Sequence, residues 1–356
     1  MPNVAVSTIK PQALTLKLRS RVNETNNIVS FEWDVSTESG DVFYHYPGQA
    51  VTLTIPYEGK DHIRTFTIAS PPSQNNLIVL TIKAGEGAKT TRHMHESWVE
   101  GTTVEARGPF GNFSLVHTPN TPLLLIGAGS GVTPMLSMMK WLFDRNELQT
   151  DVVLLQQAST PADLLKQDQL SFMDAAMPNM THISCVSSVP KGQAWSGFRG
   201  HLSRGNIGAM VPDLARRSVF CCGPEGFSEL VKKIYLAEGG LLENFHTESF
   251  GAKDELVVKS KNVDKVLDSS ALTINLDGHT FNSSAEKTIV DSAADFGIKI
   301  PTGCKEGYCG TCKLKLSSGT VSMQHSGGIS KTEEEEGYIL ACSSIATSNI
   351  TVTRKY

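Results

Sequence analysis

Three of the chain's seven cysteines fall within nine residues, Cys304, Cys309 and Cys312 in the run IPTGCKEGYCGTCKLKL. A fourth, Cys342, follows after 29 intervening residues. Cys-x4-Cys-x2-Cys with a distant fourth cysteine is the ligand spacing of a [2Fe–2S] cluster. Two irons bridged by two sulfides take four thiolates. A tight loop can wrap three of them around one side, and the fourth must return from a separate element. Gly303, Gly307 and Gly310 let backbone amides come close to the inorganic sulfides. A structural zinc site is the alternative, but zinc ligands usually come as two short pairs, and here one half would be an x4 gap and the other a single cysteine.

The neighbouring segments supply a scaffold. ALTINLDGHTFNS reads as a hairpin turning at Asp277-Gly278, and TIVDSAADFGIKIP as a short helix closed by Gly297. CKLKLSSGTV is a strand and turn, and YILACSS leads into a last strand, NITVTRKY. Over residues 271–356 this resembles the ferredoxin domain of plant-type [2Fe–2S] proteins. The resemblance implies an α+β β-grasp fold with Cys304, Cys309, Cys312 and Cys342 as ligands. The run Glu333 to Glu336 reads as a solvated face, with a docking patch for a basic partner as the other possibility.

A cluster moves one electron at a time, so another group must load it. RTFTIAS, Arg64 to Ser70, lies among segments that alternate in strand fashion with Pro and Gly at the breaks. Residues 1–118 therefore read as a small antiparallel barrel. RTFTIAS resembles the flavin motif of the ferredoxin reductase superfamily. That resemblance places Arg64 on a flavin phosphate, Phe66 stacked on the isoalloxazine, Thr67 near its N5, and Ser70 at the close of the motif. Phe66 departs from the usual tyrosine, which keeps stacking and loses a hydroxyl. The motif by itself is equally an ordinary edge strand. IKAGEGAKTTRHMH resembles the family's second flavin loop, with Lys83, Gly87, Thr90 and Thr91 in the diphosphate-holding places, which favours FAD over FMN. RGPFGNF, Arg107 to Phe113, resembles the turn that closes the flavin domain. His62, His93 and His95 have no metal-like spacing and read as surface or satisfied histidines.

TPLLLIGAGSGVTPMLSMMKWLF runs from an apolar strand, Leu123 to Ile126, through glycines at 127, 129 and 131, into a helix from about Pro134. Strand, glycines and helix N-terminus form a layout that binds a diphosphate. A tight turn without ligand explains those glycines equally well. Further strands, DVVLLQQAS, THISCVSS and SVFCCGPEGF, argue for a parallel α/β sheet over residues 119–250. The turn resembles the nicotinamide-binding turn of the same superfamily, implying Gly127, Gly129, Gly131 and Thr133 in that site. CCGPEGF resembles its C-G-P motif, with Cys222, Gly223 and Pro224 near the nicotinamide, while Cys185 and Cys221 read as inert core thiols. In FHTESFG, the same resemblance implies that Glu248 and Phe250 are the acidic residue and the aromatic brought back towards the flavin. Thr67, Cys222 and Glu248 are thus the candidate catalytic set. No cation follows VVLLQQ until Lys166, which favours NADH over NADPH, although Arg199 or Arg204 could fold into that site.

At 356 residues the chain is long enough for several domains, and the polar stretch 251–270 reads as the linker between the second and third. A net charge of −4 gives no case for nucleic acid, and no apolar run reaches the length of a membrane span. The first residues lack the pattern of a secretory signal, so the chain is expected in the cytoplasm with reduced thiols. The order of modules resembles three-part reductases of the ferredoxin reductase superfamily. GQAWSGFRGHL, VPDLARRSVFCCGP and FHTESFG resemble the branch of hybrid-cluster-protein reductases and the reductase components of Rieske-type oxygenases acting on quaternary amines such as glycine betaine. The implied function is electron transfer from NADH through FAD and the cluster to a separate terminal protein. The alternatives are a reductase of a small molecule or cytochrome, and a non-enzymatic redox sensor.

Overall fold

In a computed structural model of the chain, alternation along the first strands decides the architecture of the N-terminal module. In β1 (Gln12–Asn23), Leu14, Leu16 and Leu18 point inward between exposed Thr15, Lys17 and Arg19. β2 (Ile28–Thr37) answers with Phe31, Trp33 and Val35. With β3 (Ala50–Tyr57), β4 (Lys60–Thr67), β5 (Leu77–Lys83) and β6 (Thr103–Phe110) they form one antiparallel sheet in the order β4-β3-β6-β1-β2-β5. A bridge between Ile68 and Leu80 joins its two edges, which removes the open edges and makes a barrel. The segment after β5 resembles a loop in sequence. It becomes a loop and then α1 (Lys89–Ser97), because Met94 and the following Trp98 plug the barrel end. The Trp98 ring meets Trp33 edge-on at 5.2 Å. Burial of such side chains contributes about 1.5–3 kcal/mol each, enough to override the polar composition of KTTRHMHES.

The structure describes residues 9–118, 122–249, 272–283, 286–302, 305, 307, 310–325, 328–329 and 331–354. The chain falls into two compact units, the first holding the barrel and the module after it, the second the cysteine-rich module.

The middle module is a six-stranded parallel sheet with helices on both faces. Its strands are β7 (Leu123–Ala128), β8 (Val152–Ala158), β9 (Met180–Val186), β10 (Phe198–Arg199), β11 (Ser218–Gly223) and β12 (Phe245–Ser249). The order is β10-β9-β8-β7-β11-β12. LLLI and VVLL are apolar without alternation because both faces of the sheet are covered. The helices are α2 (Thr133–Asp144), α3 (Gln167–Ala176), α4 (Arg204–Met210) and α5 (Glu225–Ala237). α5 starts at Glu225, directly behind Pro224, so the C-G-P run ends at a helix N-terminus. The order reverses between β7 and β11, and the crevice beyond the carboxyl ends of those strands is where doubly wound sheets bind ligands.

The second unit contains β13 (Leu272–Leu276), β14 (His279–Ser283), α6 (Ile289–Asp295), β15 (Lys313–Ser318), β16 (Val321–Met323), α7 (Lys331–Glu335), β17 (Tyr338–Leu340), β18 (Ser344–Ala346) and β19 (Ile350–Arg354). The five-stranded sheet has the order β14-β13-β19-β15-β17, and β16 pairs with β18. Asp277 and Gly278 both take positive φ, as a two-residue hairpin turn requires. Phe281, Ile289, Leu314, Leu340 and Val352 fill the core under α6. The stretch 251–270, expected as a linker, lies outside the described residues.

Candidate functional site

In the first unit, the β3–β4 hairpin sets Arg64, Phe66 and Thr67 opposite Leu53, Val51 and Ala50. Arg64 Nη1 donates to the carbonyl of Ile63 at 2.9 Å, and Phe66 is half-buried on the barrel core. Thr67 is buried, and its Oγ1 donates to Glu248 Oε2 at 3.2 Å. Ser70 has a holding role. Its Oγ accepts the N–H of Val79 at 3.0 Å, and its carbonyl accepts from Ser137 Oγ of α2 at 2.7 Å. No local pattern marks Ser137. A serine on the apolar face of a helix is a signal only in retrospect.

The second candidate loop runs from exposed Lys83 at the end of β5 to the first turn of α1. Ala88 caps that helix without a side-chain hydrogen bond, and the first turn holds no acidic residue. Its leading amides suit an anion. Thr90 is buried, and among the described residues the buried hydroxyl of Thr91 has no hydrogen-bond partner. A cleft of about 330 Å³ opens here, lined by Tyr57, Gly87, Ala88, Lys89, Arg92 and His93 among others. A diphosphate-bearing flavin fits these donors. His95 is satisfied by the carbonyl of Ile82 at 3.0 Å, and His93 lies against Tyr57 with ring centroids 4.7 Å apart. Among the described residues no cluster of three or more His, Cys, Asp or Glu could hold a metal.

At the switch point of the parallel sheet, Gly127 of β7 pairs with Cys222 of β11, and Cys222 pairs with Glu248 of β12. The turn Gly129–Val132 passes so close to β11 that a Cβ on Gly131 would lie 2.4 Å from the carbonyl oxygen of Cys222. Only glycine lets these two backbones meet, the close approach a dinucleotide turn needs. Thr133 Oγ1 donates to the Ser130 carbonyl at 2.6 Å and fixes the start of α2. Gly223 and Pro224 lead into α5. Burial, and then the Glu248 carboxylate, push the Cys222 thiol well above its ordinary pKa, so it stays a neutral thiol. Cys221 points to the opposite side of the sheet and burial pushes it up to about 12, and Cys185 is also fully buried. Phe250 lies outside the described residues.

The cations that could meet a 2′-phosphate are engaged elsewhere in part. Arg204 pairs with Glu238 at 2.6 Å, and Lys166 pairs with Glu24 of the barrel. Arg199 is exposed on the edge strand β10.

In the second unit, Cys312 and Cys342 are buried with their Sγ atoms 3.0 Å apart, and the amide of Cys342 points at Cys312 Sγ at 3.4 Å. Cys304 and Cys309 lie outside the described residues. Gly307 has φ +65°, and a Cβ there would fall 2.6 Å from Ser343 Oγ and 2.9 Å from His325 Cα. Gly307 is thus packed against Ser343, which follows the fourth cysteine directly. Two thiols brought together from positions 30 residues apart, with an amide aimed at one sulfur, fit an iron–sulfur site. The acidic run is partly paired, Glu333 with Lys313 at 2.6 Å and Glu334 with His325 at 3.1 Å, while Glu335 and Glu336 are exposed.

A closed barrel with an anion-binding loop, a dinucleotide crevice and a paired-cysteine module define a flavin- and iron–sulfur-dependent pyridine nucleotide oxidoreductase. Comparison with known proteins agrees. Residues 15–115 match the oxidoreductase FAD-binding domain, 125–233 the oxidoreductase NAD-binding domain, and 272–347 the 2Fe–2S iron–sulfur cluster binding domain. The chain is 36% identical over 345 residues to the stachydrine N-demethylase reductase subunit Stc4 of Rhizobium meliloti, covering 95% of each. It is 32% identical to the glycine betaine monooxygenase reductase subunit of Chromohalobacter salexigens, over 91% of this chain and 93% of that one. Phthalate dioxygenase reductase shares the fold, with TM-score 0.56 and 22% identity over 96% of this chain and 98% of that one. The chain belongs to the family of three-domain NAD(P)H-dependent reductases that carry FAD and a [2Fe–2S] cluster.

Proposed function

We propose that this chain is the NADH-dependent reductase component of a two-part oxygenase, delivering electrons to a separate Rieske-type protein that acts on a quaternary amine. The oxygenase is favoured over a hybrid-cluster protein because both of the relatives above 30% identity described here are reductase subunits of demethylating or betaine-oxidising systems. The observation that carries the redox reading is the meeting of Thr67, Glu248 and Cys222, from three strands and two modules, at the switch point.

When bound, FAD would supply two-electron exchange with a dinucleotide and one-electron release, and a [2Fe–2S] cluster would supply one-electron carriage. The chain's own groups do the rest. Arg64, Gly87, Thr90, Thr91 and the first turn of α1 hold the flavin phosphates, with Lys83 at the entrance to the loop, and Phe66 supplies an apolar ring for stacking. Gly127, Gly129, Gly131 and Thr133 form the turn that admits the dinucleotide diphosphate. Glu248 fixes the Thr67 hydroxyl, and the neutral Cys222 thiol fills the space beneath without adding charge. Cys304, Cys309, Cys312 and Cys342 hold the cluster. The lack of an uncommitted cation in the connection after β8 favours NADH.

The test is reconstitution. The purified reductase is mixed with a betaine-type Rieske oxygenase, and demethylated product is measured with NADH and with NADPH. Product formation with NADH preferred supports the proposal. Rapid ferricyanide or cytochrome reduction without transfer to any oxygenase favours the reading without a dedicated partner. Negligible NADH turnover with every acceptor favours a sensor.

A further inference from the structure

The tip of the β1–β2 hairpin touches both halves of the first unit. Glu24 and Thr25 close the hairpin by donating their amides to the Ile28 carbonyl at 2.9 and 3.2 Å. Asn27 then accepts the amide of Ala84 at 2.9 Å, and Ile28 pairs with Lys83. These contacts fix the hairpin to the first residues of the loop assigned to the flavin phosphates. The other side of the same tip enters the nicotinamide module. Ile28, 2% exposed, is buried among Met135, Leu136 and Met139 of α2 and the other residues of that core. Glu24 pairs with Lys166, the residue that caps α3 at the end of the connection following β8. Lys166 adopts φ +54°, a left-handed conformation that is disfavoured for a residue with a Cβ. The Lys166 and Glu24 side chains are only 26% and 9% exposed, so solvent screens the pair weakly. Lys140 of α2 is near enough that Lys166 depresses its pKa, after burial itself, while Glu24 acts in the opposite direction.

We infer that the Glu24–Lys166 pair is a positioning contact that couples the two cofactor sites, holding the connection after β8 in register with the flavin phosphate loop. The inference rests on the reading that FAD and a nicotinamide dinucleotide occupy this unit. Neither residue is assigned to a cofactor. Glu24, Asn27 and Ala84 link Lys166 to the loop through one ion pair and one backbone hydrogen bond. A shift of the hairpin therefore moves both sites together. Coupling between two sites is reciprocal, so it is measurable as an effect of one ligand on the affinity of the other.

The dissociation constant of FAD is measured by flavin fluorescence on the full chain, with and without saturating NAD+. The proteins are the natural one, Glu24→Gln, Lys166→Gln, Lys166→Arg, and the exchange of Glu24→Lys with Lys166→Glu. The natural protein is expected to show at least about a threefold effect of NAD+ on FAD affinity. The two glutamine variants lose it, and Lys166→Arg and the exchange recover most of it. The kcat with ferricyanide falls about three- to tenfold in the glutamine variants, and KM for NADH rises about threefold, the reciprocal of the lost coupling. An equal NAD+ effect in natural and glutamine variants, or no effect in the natural protein although it binds both ligands, overturns the coupling. Failure of the natural protein to bind FAD or NAD+ at all overturns the reading beneath it instead. If a glutamine variant does not fold, the comparison of Lys166→Arg with the exchange decides, since retention of coupling is expected in both.

Discussion

The hydroxyl of Thr67 donates to the carboxylate of Glu248 at 3.2 Å across 181 residues of sequence, and both side chains are buried. Thr67 ends the barrel strand of the flavin motif, while Glu248 lies on β12 beside Cys222. Removing either side chain takes away this buried hydrogen bond. Thr67→Ala and Glu248→Ala are each expected to lower NADH–ferricyanide kcat by about ten- to a hundredfold with flavin content retained. The double variant is expected to cost little more than the worse single, because the two act as one unit. Simple multiplication of the two losses in steady-state kinetics would separate their roles.

Gly131 admits no side chain, since its Cβ would sit 2.4 Å from one backbone atom of Cys222 and 2.7 Å from another. Neither atom can rotate aside. Gly131→Ala is expected to push the turn away from β11 and weaken NAD+ binding at least about tenfold. Calorimetric titration with NAD+ checks this. Unaltered affinity would place the dinucleotide elsewhere.

Cys312 and Cys342 form one half of the expected ligand set. Cys342→Ser and Cys309→Ser should abolish the cluster's visible absorption and delivery to a protein acceptor, yet leave NADH–ferricyanide turnover in place. Iron and acid-labile sulfide analysis accompanies the assay. Equal loss of both activities contradicts the order of transfer, and zinc in place of iron in the natural protein contradicts the cluster.

His45 gives a pH dependence with a definite sign. Burial lowers its pKa from 6.5 to about 4, and its Nδ1 lies 3.1 Å from the carbonyl of Tyr46. The unfolded chain takes up this proton near pH 6.5, whereas the folded one resists until about 4. Stability is therefore lost as pH falls through that window, by an amount on the order of 3 kcal/mol at most. His45→Phe, which keeps the stacking on Phe43, should reduce the loss between pH 7 and pH 4.5 accordingly. Denaturant unfolding followed by Trp33 and Trp98 fluorescence measures it. An identical acid loss in both proteins would trace the sensitivity to other groups.

Local chemistry made much of this protein legible from its sequence alone. The cysteine spacing states a ligand count, Asp277-Gly278 demands a turn, and LLLI before glycines demands a buried strand feeding a helix. Apart from Cys342, 29 intervening residues beyond Cys312, each signal lives within about ten residues, where chain geometry is fixed by sterics and hydrogen bonding. α1 is not legible in the sequence because its residues are mostly polar, and its stability comes from Met94 and Trp98 in a barrel end that no local pattern reveals. The partners Thr67 and Glu248, Ser70 and Ser137, and Glu24 and Lys166 were fixed only by tertiary structure. Their residue types are ordinary, and their meaning is distance. Closure of the barrel and the reversal of strand order bring together groups that no periodicity connects.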